Sequence, residues 1–250
     1  MLATLRFVVV FLGNIASVAL YAAPIVTFKR VIKNKSTEEF SCIPYIIGLL
    51  NCLLFTWYGL PVVSYKWENL GLVTVNGVGI VLELSYVLIY FFYAPPRGKV
   101  KVGMITTLVV VVFCIIATVS AFSLHDTEHR KLLVGITGLC VSIALYGSPL
   151  VAMKKVIETK SVEFMPLPLS MCAFLASALW LTYGLLVRDI FIAGPSVFGT
   201  PLSILQLFIY FKYRRERIVD EPNNGDLERG SIQLEEVYLE KNDVTNCEQC

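Results

Sequence analysis

Seven long apolar stretches limit most strongly what this chain can fold into. Each has about 18 to 25 residues, the length that an α-helix needs to cross a bilayer. A soluble domain could not cover so much apolar surface, because 56% of the residues are hydrophobic and only 16% are charged. We therefore predict an all-α membrane protein with seven transmembrane helices in a lipid bilayer, since a helix satisfies its own backbone there. The predicted helices cover residues 5–28, 43–63, 70–93, 100–122, 132–153, 165–187 and 190–211.

An internal repeat relates the first three predicted helices to the last three. The stretch ALYAAPIVTFKRVIKNKS begins at Ala19, and ALYGSPLVAMKKVIETKS begins 125 residues later at Ala144, with ten of 18 aligned residues identical. WYGL likewise matches TYGL, and LIYFFY matches FIYFKY. Three is an odd number of helices, so a directly fused second copy would be inverted. The fourth helix, which has no counterpart, restores the orientation, and the sequence therefore predicts a 3+1+3 parallel repeat of three-helix bundles.

The same pattern predicts four regions along the chain. The first three-helix repeat covers residues 1–98, and the fourth helix with an external loop covers 99–130. The second repeat covers residues 131–215. Residues 216–250 follow as a disordered cytosolic tail, because their composition is acidic and poor in aromatic residues.

Lysine and arginine are distributed unevenly between the two ends of the helices. The segments that follow helices 1, 3, 5 and 7 contain 14 of them, whereas the other ends have 5. We call these the basic side and the opposite side. Cytosolic loops carry the excess of positive charge, so the basic side is predicted to be cytosolic and the N-terminus to lie outside.

The chain resembles the SWEET sugar transporters of plants over roughly residues 8–215. The residues that carry the resemblance are APIVTFKRVIKNKSTEEF, LLNCLLFTWYGLP, TVNGVG, SPLVAMKKVIETKSVEFMP and LWLTYGLLVRD. The resemblance implies a SWEET-like fold and a bidirectional transporter for the low-affinity uptake and efflux of a sugar by alternating access. It also implies homo-oligomers, or hetero-oligomers with related transporters, in the plasma membrane.

Four prolines occupy paired places near the basic side. Pro24 and Pro149 lie near the basic ends of helices 1 and 5, and Pro44 and Pro166 begin helices 2 and 6. A proline removes one backbone donor, so it kinks a helix or occupies its first turn. Ordinary kinks and caps are one interpretation. The resemblance implies the other, a set of hinges for an inner gate.

Four side chains are predicted at one level, slightly towards the opposite side of the membrane: Asn76, Ser196, Phe55 and Trp180. A sugar binds amides or hydroxyls at its rim and an aromatic ring on its face. The alternatives are an interhelical hydrogen bond for Asn76 and bundle packing for Trp180. The resemblance implies a pocket with an Asn from each half and a Trp on helix 6. The chain matches at Asn76 and Trp180, and departs at Ser196 and Phe55.

The resemblance also suggests a second level of the pathway and an outer gate. The second level contains Leu20, Leu145, Asn51 and Ala176, and the pair Asn51-Cys52 is similar to that of hexose-preferring members. Tyr58 and Asp189 match a family pair that closes the outer gate, although a loop aspartate is often only solvated.

The sequence favours a uniporter and not an enzyme, without cofactor, metal or nucleic acid. Its only histidines, His125 and His129, share one external loop, and Glu83 has no second acid at its depth for a proton relay. A non-sugar carrier of related architecture and a seven-helix receptor are the alternatives. The repeat and the paired prolines count against the receptor.

Overall fold

The computed structural model describes residues 1–37, 40–162 and 165–220, with side chains as far as 214. In this part of the chain there are nine α-helices and no strand. A π-helical turn, Val119–Ser123, extends α5. The helices are α1 (Leu2–Ala22), α2 (Ile25–Asn34), α3 (Ile43–Gly59), α4 (Leu70–Tyr93), α5 (Pro96–Thr118), α6 (Thr127–Leu145), α7 (Gly147–Thr159), α8 (Leu167–Val187) and α9 (Ile190–Asp220).

The nine helices form seven segments, because α1 continues into α2 and α6 continues into α7. Among the described residues six segments are long and apolar enough to cross a membrane, and α3 is a shorter apolar helix. The prediction of an all-α, seven-helix architecture is confirmed. The second predicted helix ends at Gly59 and not at residue 63. Leu60 is extended, with ψ 154°, because the ring of Pro61 disfavours the helical conformation in the residue before it.

The first and fifth segments are interrupted near Pro24 and Pro149. Pro24 has no N–H to donate to the carbonyl of Leu20, which instead accepts a hydrogen bond from the N–H of Ala23 at 3.2 Å. In the fifth segment α6 ends at Leu145, and Pro149 falls in the first turn of α7, where a donor is not required. The predicted single helices 5–28 and 132–153 are therefore each two helices.

The helices pack in two equivalent sets. α3 packs on α4 and α8 packs on α9, while α1 contacts α4 and α6 contacts α9. The two halves meet through α1 against α8 and through α3 against α6. α5, which has no counterpart, packs on α3, α4 and α6. This arrangement is the predicted 3+1+3 parallel repeat.

The outer surface of the bundle is strongly apolar. Phe7, Phe92 and Phe122 are exposed by 68%, 72% and 79%. Large apolar side chains lie on the surface along α1, α5 and α9 as well. A surface of this kind suits hydrocarbon and not water. The exact limits of the four predicted regions stay a prediction: α9 continues to Asp220, and residues 221–250 of the predicted tail lie outside the described residues.

Candidate functional site

A cavity of about 530 Å³ lies mainly within the second half of the bundle. Its walls come from α6, α7, α8 and α9, with Leu20 and Asn51 contributed by the first half. Met165 and Pro166, at the basic-side start of α8, and Gln206, near the basic end of α9, also line it. The cavity therefore extends from the middle of the bundle towards the basic side.

Six of the eight predicted substrate-binding residues line this cavity: Leu20, Asn51, Leu145, Ala176, Trp180 and Ser196. The Oγ of Ser142 donates to the Oδ1 of Asn51 at 2.7 Å, which leaves the amide N–H₂ of Asn51 available to a solute. The hydroxyls of Ser177 and Ser196 also line the cavity. Neither has a hydrogen-bond partner within the described part of the chain. The cavity thus presents unsatisfied neutral donors and acceptors.

Trp180 is held in place by the first half. Its indole Nε1 donates to the Oγ of Ser17 at 2.9 Å. Ser17 and Ser142 are 125 residues apart, and they are equivalent in the repeat. Each serine reaches across the interface, Ser17 to α8 and Ser142 to α3. Two serines in equivalent places therefore hold Asn51 and Trp180, one by donating a hydrogen bond and the other by accepting one.

Asn76 and Phe55 do not line the cavity. The Nδ2 of Asn76 donates to the carbonyl of Leu72 in its own helix at 2.9 Å. Its Oδ1 accepts a long hydrogen bond of 3.5 Å from the hydroxyl of Tyr21. Asn76 is thus engaged with α1 and α4, as the interhelical interpretation predicted. Its role in binding a solute stays a prediction.

Phe55 belongs to an aromatic cluster that fills the bundle between the cavity and the opposite side of the membrane. Its ring contacts that of Tyr58 with centroids 6.3 Å apart, and Tyr58 contacts Phe191 at 6.2 Å. The hydroxyl of Tyr58 lies 2.8 Å from both carboxylate oxygens of Asp189. Because Tyr58 is in α3 and Asp189 precedes α9, this contact joins the two halves across the cavity. Asp189 is not merely solvated.

Asp189 is also positioned by its own helix. Its Oδ1 accepts hydrogen bonds from the N–H groups of Phe191 and Ile192, at 3.0 and 3.3 Å. These are the donors that an N-cap carboxylate satisfies at the start of a helix. The preceding Arg188 is left-handed, with φ 58°, which sharply turns the chain between α8 and α9.

Three further contacts join the halves at the opposite side. Arg6 donates from Nη2 to the carbonyl of Leu186 at 2.6 Å. Lys131, which is equivalent to Arg6 in the repeat, pairs with Glu68 at 2.9 Å. The hydroxyl of Tyr183 lies 3.4 Å from the carbonyl of Glu68. Together with the Tyr58–Asp189 contact, these interactions join the two halves on the opposite side.

The four predicted hinge prolines have unequal surroundings. Pro149 and Pro166 line the cavity, whereas Pro24 and Pro44 do not. Pro44 occupies one of the first two positions of α3, while Pro166 caps α8 from outside the helix. Pro168, the second residue of α8, has the place in its helix that Pro44 has in α3. A hinge role for these prolines stays a prediction.

The sequence interpretation missed Ser17, Ser142, Tyr21 and Tyr146, although the repeat contained the signal. All four lie in the matching stretches SVALY and SIALY. Tyr146 lines the cavity and donates to the carbonyl of Pro195, whereas Tyr21 faces Asn76 and Cys52. Across the described residues no cluster of three or more potential metal ligands is found.

The sequence matches a family described as sugar efflux transporters for intercellular exchange, over residues 7–98 and 132–217. It is 53% identical to bidirectional sugar transporter SWEET3 of Arabidopsis thaliana, over 97% of this chain and 95% of that protein. It is 54% identical to SWEET3b of Oryza sativa subsp. japonica, over 85% and 84%. The fold matches a eukaryotic SWEET transporter solved at 3.7 Å, with TM-score 0.81 and 40% identity, over 86% of this chain and 99% of that one. The chain is therefore an integral membrane protein of the SWEET family.

Proposed function

We propose that this chain is a bidirectional sugar transporter that carries a hexose by alternating access. The observation that carries the proposal is the chemistry of the cavity, which is lined by hydroxyls, amides and an indole. No lining residue in the described part of the chain is an aspartate, glutamate, lysine, arginine or histidine. A neutral polyhydroxylated solute needs such donors and acceptors. An amino acid would need partners for its two charges.

The closure of one side supports alternating access. The Tyr58–Asp189 contact joins the two halves on the opposite side, while the cavity extends towards the basic side without reaching either residue. A carrier must break these contacts before the solute can leave in that direction. We assign Tyr58 and Asp189 to the outer gate, and the four prolines to hinges of the inner gate.

Asn51, Ser196 and Trp180 are proposed to bind the sugar in this state, with Leu20, Leu145 and Ala176 as the apolar wall. Asn76 and Phe55 are proposed to contact it when the opposite side opens. Glu83 is buried, and its Oε2 has no partner among the described residues. Among the described residues no second acid lies beside it for a relay, so we propose a uniporter, acting without a cofactor and not as an enzyme.

The decisive experiment is sugar flux in cells that lack hexose uptake. Glucose should move down its gradient in both directions, and abolishing the proton gradient should leave the flux unchanged. Strict proton dependence would refute uniport. A panel with a disaccharide, a sugar alcohol and a neutral amino acid tests the substrate class, and transport of the amino acid in place of glucose would refute sugar transport.

A matched pair of variants on α8 tests the cavity itself. Ser177 lines the cavity, whereas Thr182 on the same helix is exposed and bonds only to its own helix at 2.8 Å. Ser177→Ala should raise the KM for glucose about fivefold, the effect of one neutral hydrogen bond. Thr182→Val should leave it unchanged. If both variants changed the KM for glucose equally, the cavity would not lie on the path of the sugar.

The remaining features need separate tests. We propose that the basic side is cytosolic, that the protein lies in the plasma membrane and that it forms homo-oligomers or hetero-oligomers with related transporters. A C-terminal epitope accessible only after permeabilisation would support the orientation. An epitope accessible on intact cells would reverse it, and with it the assignment of the two gates.

A further inference from the structure

Two cavities on the outer surface of the bundle adjoin each other between α1 and α4. The first, of about 340 Å³, lies at the opposite side and is lined by charged side chains of both halves. The second, of about 570 Å³, follows α1 and is mainly apolar. Four residues line both cavities, namely Phe7, Val10, Leu70 and Gly71. We call the first cavity the charged cleft and the second the lateral groove.

The lateral groove faces lipid and not the interior of the bundle. Its two polar side chains, Asn14 and Thr74, bond within the groove. Asn14 donates from Nδ2 to the carbonyl of Gly71 at 3.0 Å, and its Oδ1 accepts from the hydroxyl of Thr74 at 3.0 Å. The other lining side chains are large, apolar and mostly exposed: Phe7, Phe11, Ile15, Val18 and Leu70. Because the polar groups satisfy one another, the groove suits a hydrocarbon chain.

The equivalent place in the second half is filled by a ring. The repeat pairs Val10 with Gly135, and Gly71 with Phe191. The ring of Phe191 lies so close to Gly135 that a Cβ at position 135 would be 2.3 Å from it. In the first half the glycine is at position 71, where the second half has the ring. The lateral groove therefore depends on Gly71 and is not a general result of how the repeat packs.

The charged cleft has more positive than negative groups. Three basic and two acidic residues line it. Both carboxylates already have partners in the structure. Glu68 pairs with Lys131 at 2.9 Å, and Asp189 accepts a hydrogen bond from the hydroxyl of Tyr58 at 2.8 Å. The two remaining basic residues are therefore left to attract an anion.

These two residues are Arg6 and Arg188, and neither pairs with a carboxylate in the part of the chain that the structure describes. Arg6 donates from Nη2 to the carbonyl of Leu186 at 2.6 Å, and its Nε has no partner there. A guanidinium presents its N–H donors in a planar fork that matches the oxygens of a phosphate. Arg6 belongs to the first half and Arg188 to the second. A phosphate in the charged cleft would therefore contact both halves.

The charged cleft lies at the depth of lipid headgroups. It is formed where α1 begins and where α8 is followed by α9. Tyr65 and Trp67, in the connection between α3 and α4, are exposed at the same side, as aromatic side chains are at a membrane interface. From Arg6 to Val18, the residue of the groove farthest along α1, the helix rises about 18 Å. One leaflet contributes about 15 Å of hydrocarbon, so the lateral groove has the length of an acyl chain.

We propose that the charged cleft and the lateral groove form one binding site for a phospholipid of the leaflet on the opposite side. Its phosphate binds Arg6 and Arg188, and one acyl chain lies along α1. We call it the lipid site. The lipid site does not rest on the proposed function, because its two parts are defined by charge, by depth in the membrane and by shape.

Native mass spectrometry of the full chain in detergent, with added phosphatidylglycerol, tests the phosphate position. The wild-type chain should retain one lipid tightly. Arg188→Gln should weaken this binding about tenfold, because it removes a charge-assisted hydrogen bond. Arg97→Gln, which removes an exposed arginine at the basic side, is the control and should bind as the wild type does. Equal binding by both variants, or no retained lipid in the wild type, would overturn the lipid site.

A second pair of variants tests the lateral groove. Thr74→Phe places a ring in the groove, whereas Val78→Phe places it four residues farther along the exposed face of α4, outside the groove. Thr74→Phe should weaken phosphatidylglycerol binding about tenfold, because the ring occupies the place of the chain. Val78→Phe should leave the binding unchanged. If both variants bound equally, the acyl chain would not lie in the lateral groove.

A soluble competitor separates a lipid site from a simple anion site. Glycerol 3-phosphate has the phosphate of the lipid without its chains. At the same concentration as phosphatidylglycerol it should displace little of the bound lipid, because it cannot fill the lateral groove. Complete displacement would show that the charged cleft binds a free phosphate, and would overturn the proposal.

Cross-linking in a bilayer tests the position directly. In phosphatidylcholine vesicles that contain a phosphatidylglycerol with a photoactivatable acyl chain, cross-links should concentrate on the α1 and α4 residues of the lateral groove, and Thr74→Phe should reduce them. Cross-links spread evenly over the exposed faces of α5 and α9 would show bulk lipid only and refute the lipid site. None of these measurements uses a sugar, so the proposed function and the lipid site can fail separately.

Discussion

Replacement of Tyr58 by phenylalanine should shift the transporter out of the state described here. The hydroxyl of Tyr58 lies 2.8 Å from both oxygens of Asp189, and the side chain is 1% exposed. Such a hydrogen bond to a charged group contributes about 1.5 to 3 kcal/mol net. Since 1.36 kcal/mol is a factor of ten, the ratio of closed to open opposite side should fall about ten- to hundredfold.

Phenylalanine keeps the rest of the closure intact. The ring contacts of Tyr58 with Phe55 and Phe191 do not involve the hydroxyl. Asp189 keeps its hydrogen bonds to the N–H groups that begin α9. Asp189→Asn would change the helix cap as well, so Tyr58→Phe is the cleaner perturbation.

Labelling of a cysteine in the cavity measures this shift. Ser177→Cys should react slowly with an impermeant reagent applied from the opposite side, and about tenfold or more faster once Tyr58→Phe is added. Tyr65→Phe, at an exposed tyrosine of the α3–α4 connection, is the control. If Tyr58→Phe left the rate unchanged in a correctly folded protein, the Tyr58–Asp189 contact would not stabilise the closed side.

Three further predictions concern the cavity and the hinges. Trp180→Phe removes the indole hydrogen bond to Ser17, so the KM for glucose should rise about fivefold. Ser17→Ala should reproduce part of this rise in KM. An unchanged KM in Ser17→Ala would show that the hydrogen bond does not position the indole ring. Asn76→Ala should abolish flux, but glucose should still bind from the basic side, because Asn76 does not line the cavity in this state. Binding is measured by how well glucose protects a cavity cysteine from labelling, and loss of that protection would contradict the prediction. Pro24→Ala and Pro149→Ala should each slow flux with binding retained, because each change removes a proline from a break near the basic side; loss of glucose binding, measured in the same vesicles, would argue against a hinge role.

Most of the fold could be predicted from the sequence because lipid imposes a simple rule. Apolar stretches of the right length become helices, and a repeat with an odd number of helices needs one more to keep its orientation. The first and fifth helices were each predicted as one segment with a proline near its basic end, and each is interrupted there. The prolines at 24 and 149 were noted as kinks or caps, but the exact break depends on how the freed carbonyls find other donors, as Leu20 does with Ala23.

The site was less predictable because equal depth does not mean equal access. Asn76 and Ser196 occupy equivalent places, but only Ser196 lines the cavity. Tyr21 bonds to Asn76 and so shields it, while its counterpart Tyr146 bonds to the carbonyl of Pro195 and itself lines the cavity. The sequence shows that the tyrosines are equivalent. It does not show which hydrogen bonds each one makes.

The breaks near Pro24 and Pro149 are held by different contacts in the two halves. In the first half the hydroxyl of Tyr86 binds the carbonyl of Tyr21, so α4 is fastened at the break that Pro24 creates. Gln206, the corresponding side chain of the second half, makes no such bond among the described residues; there Tyr146, at the junction of α6 and α7, donates to the carbonyl of Pro195 and ties the break to α9. Four prolines in symmetric places therefore need not move equally. The first break is fastened by a side chain of α4 that bonds to the carbonyl of Tyr21, whereas the second is fastened by the side chain of Tyr146, which lies at the break itself.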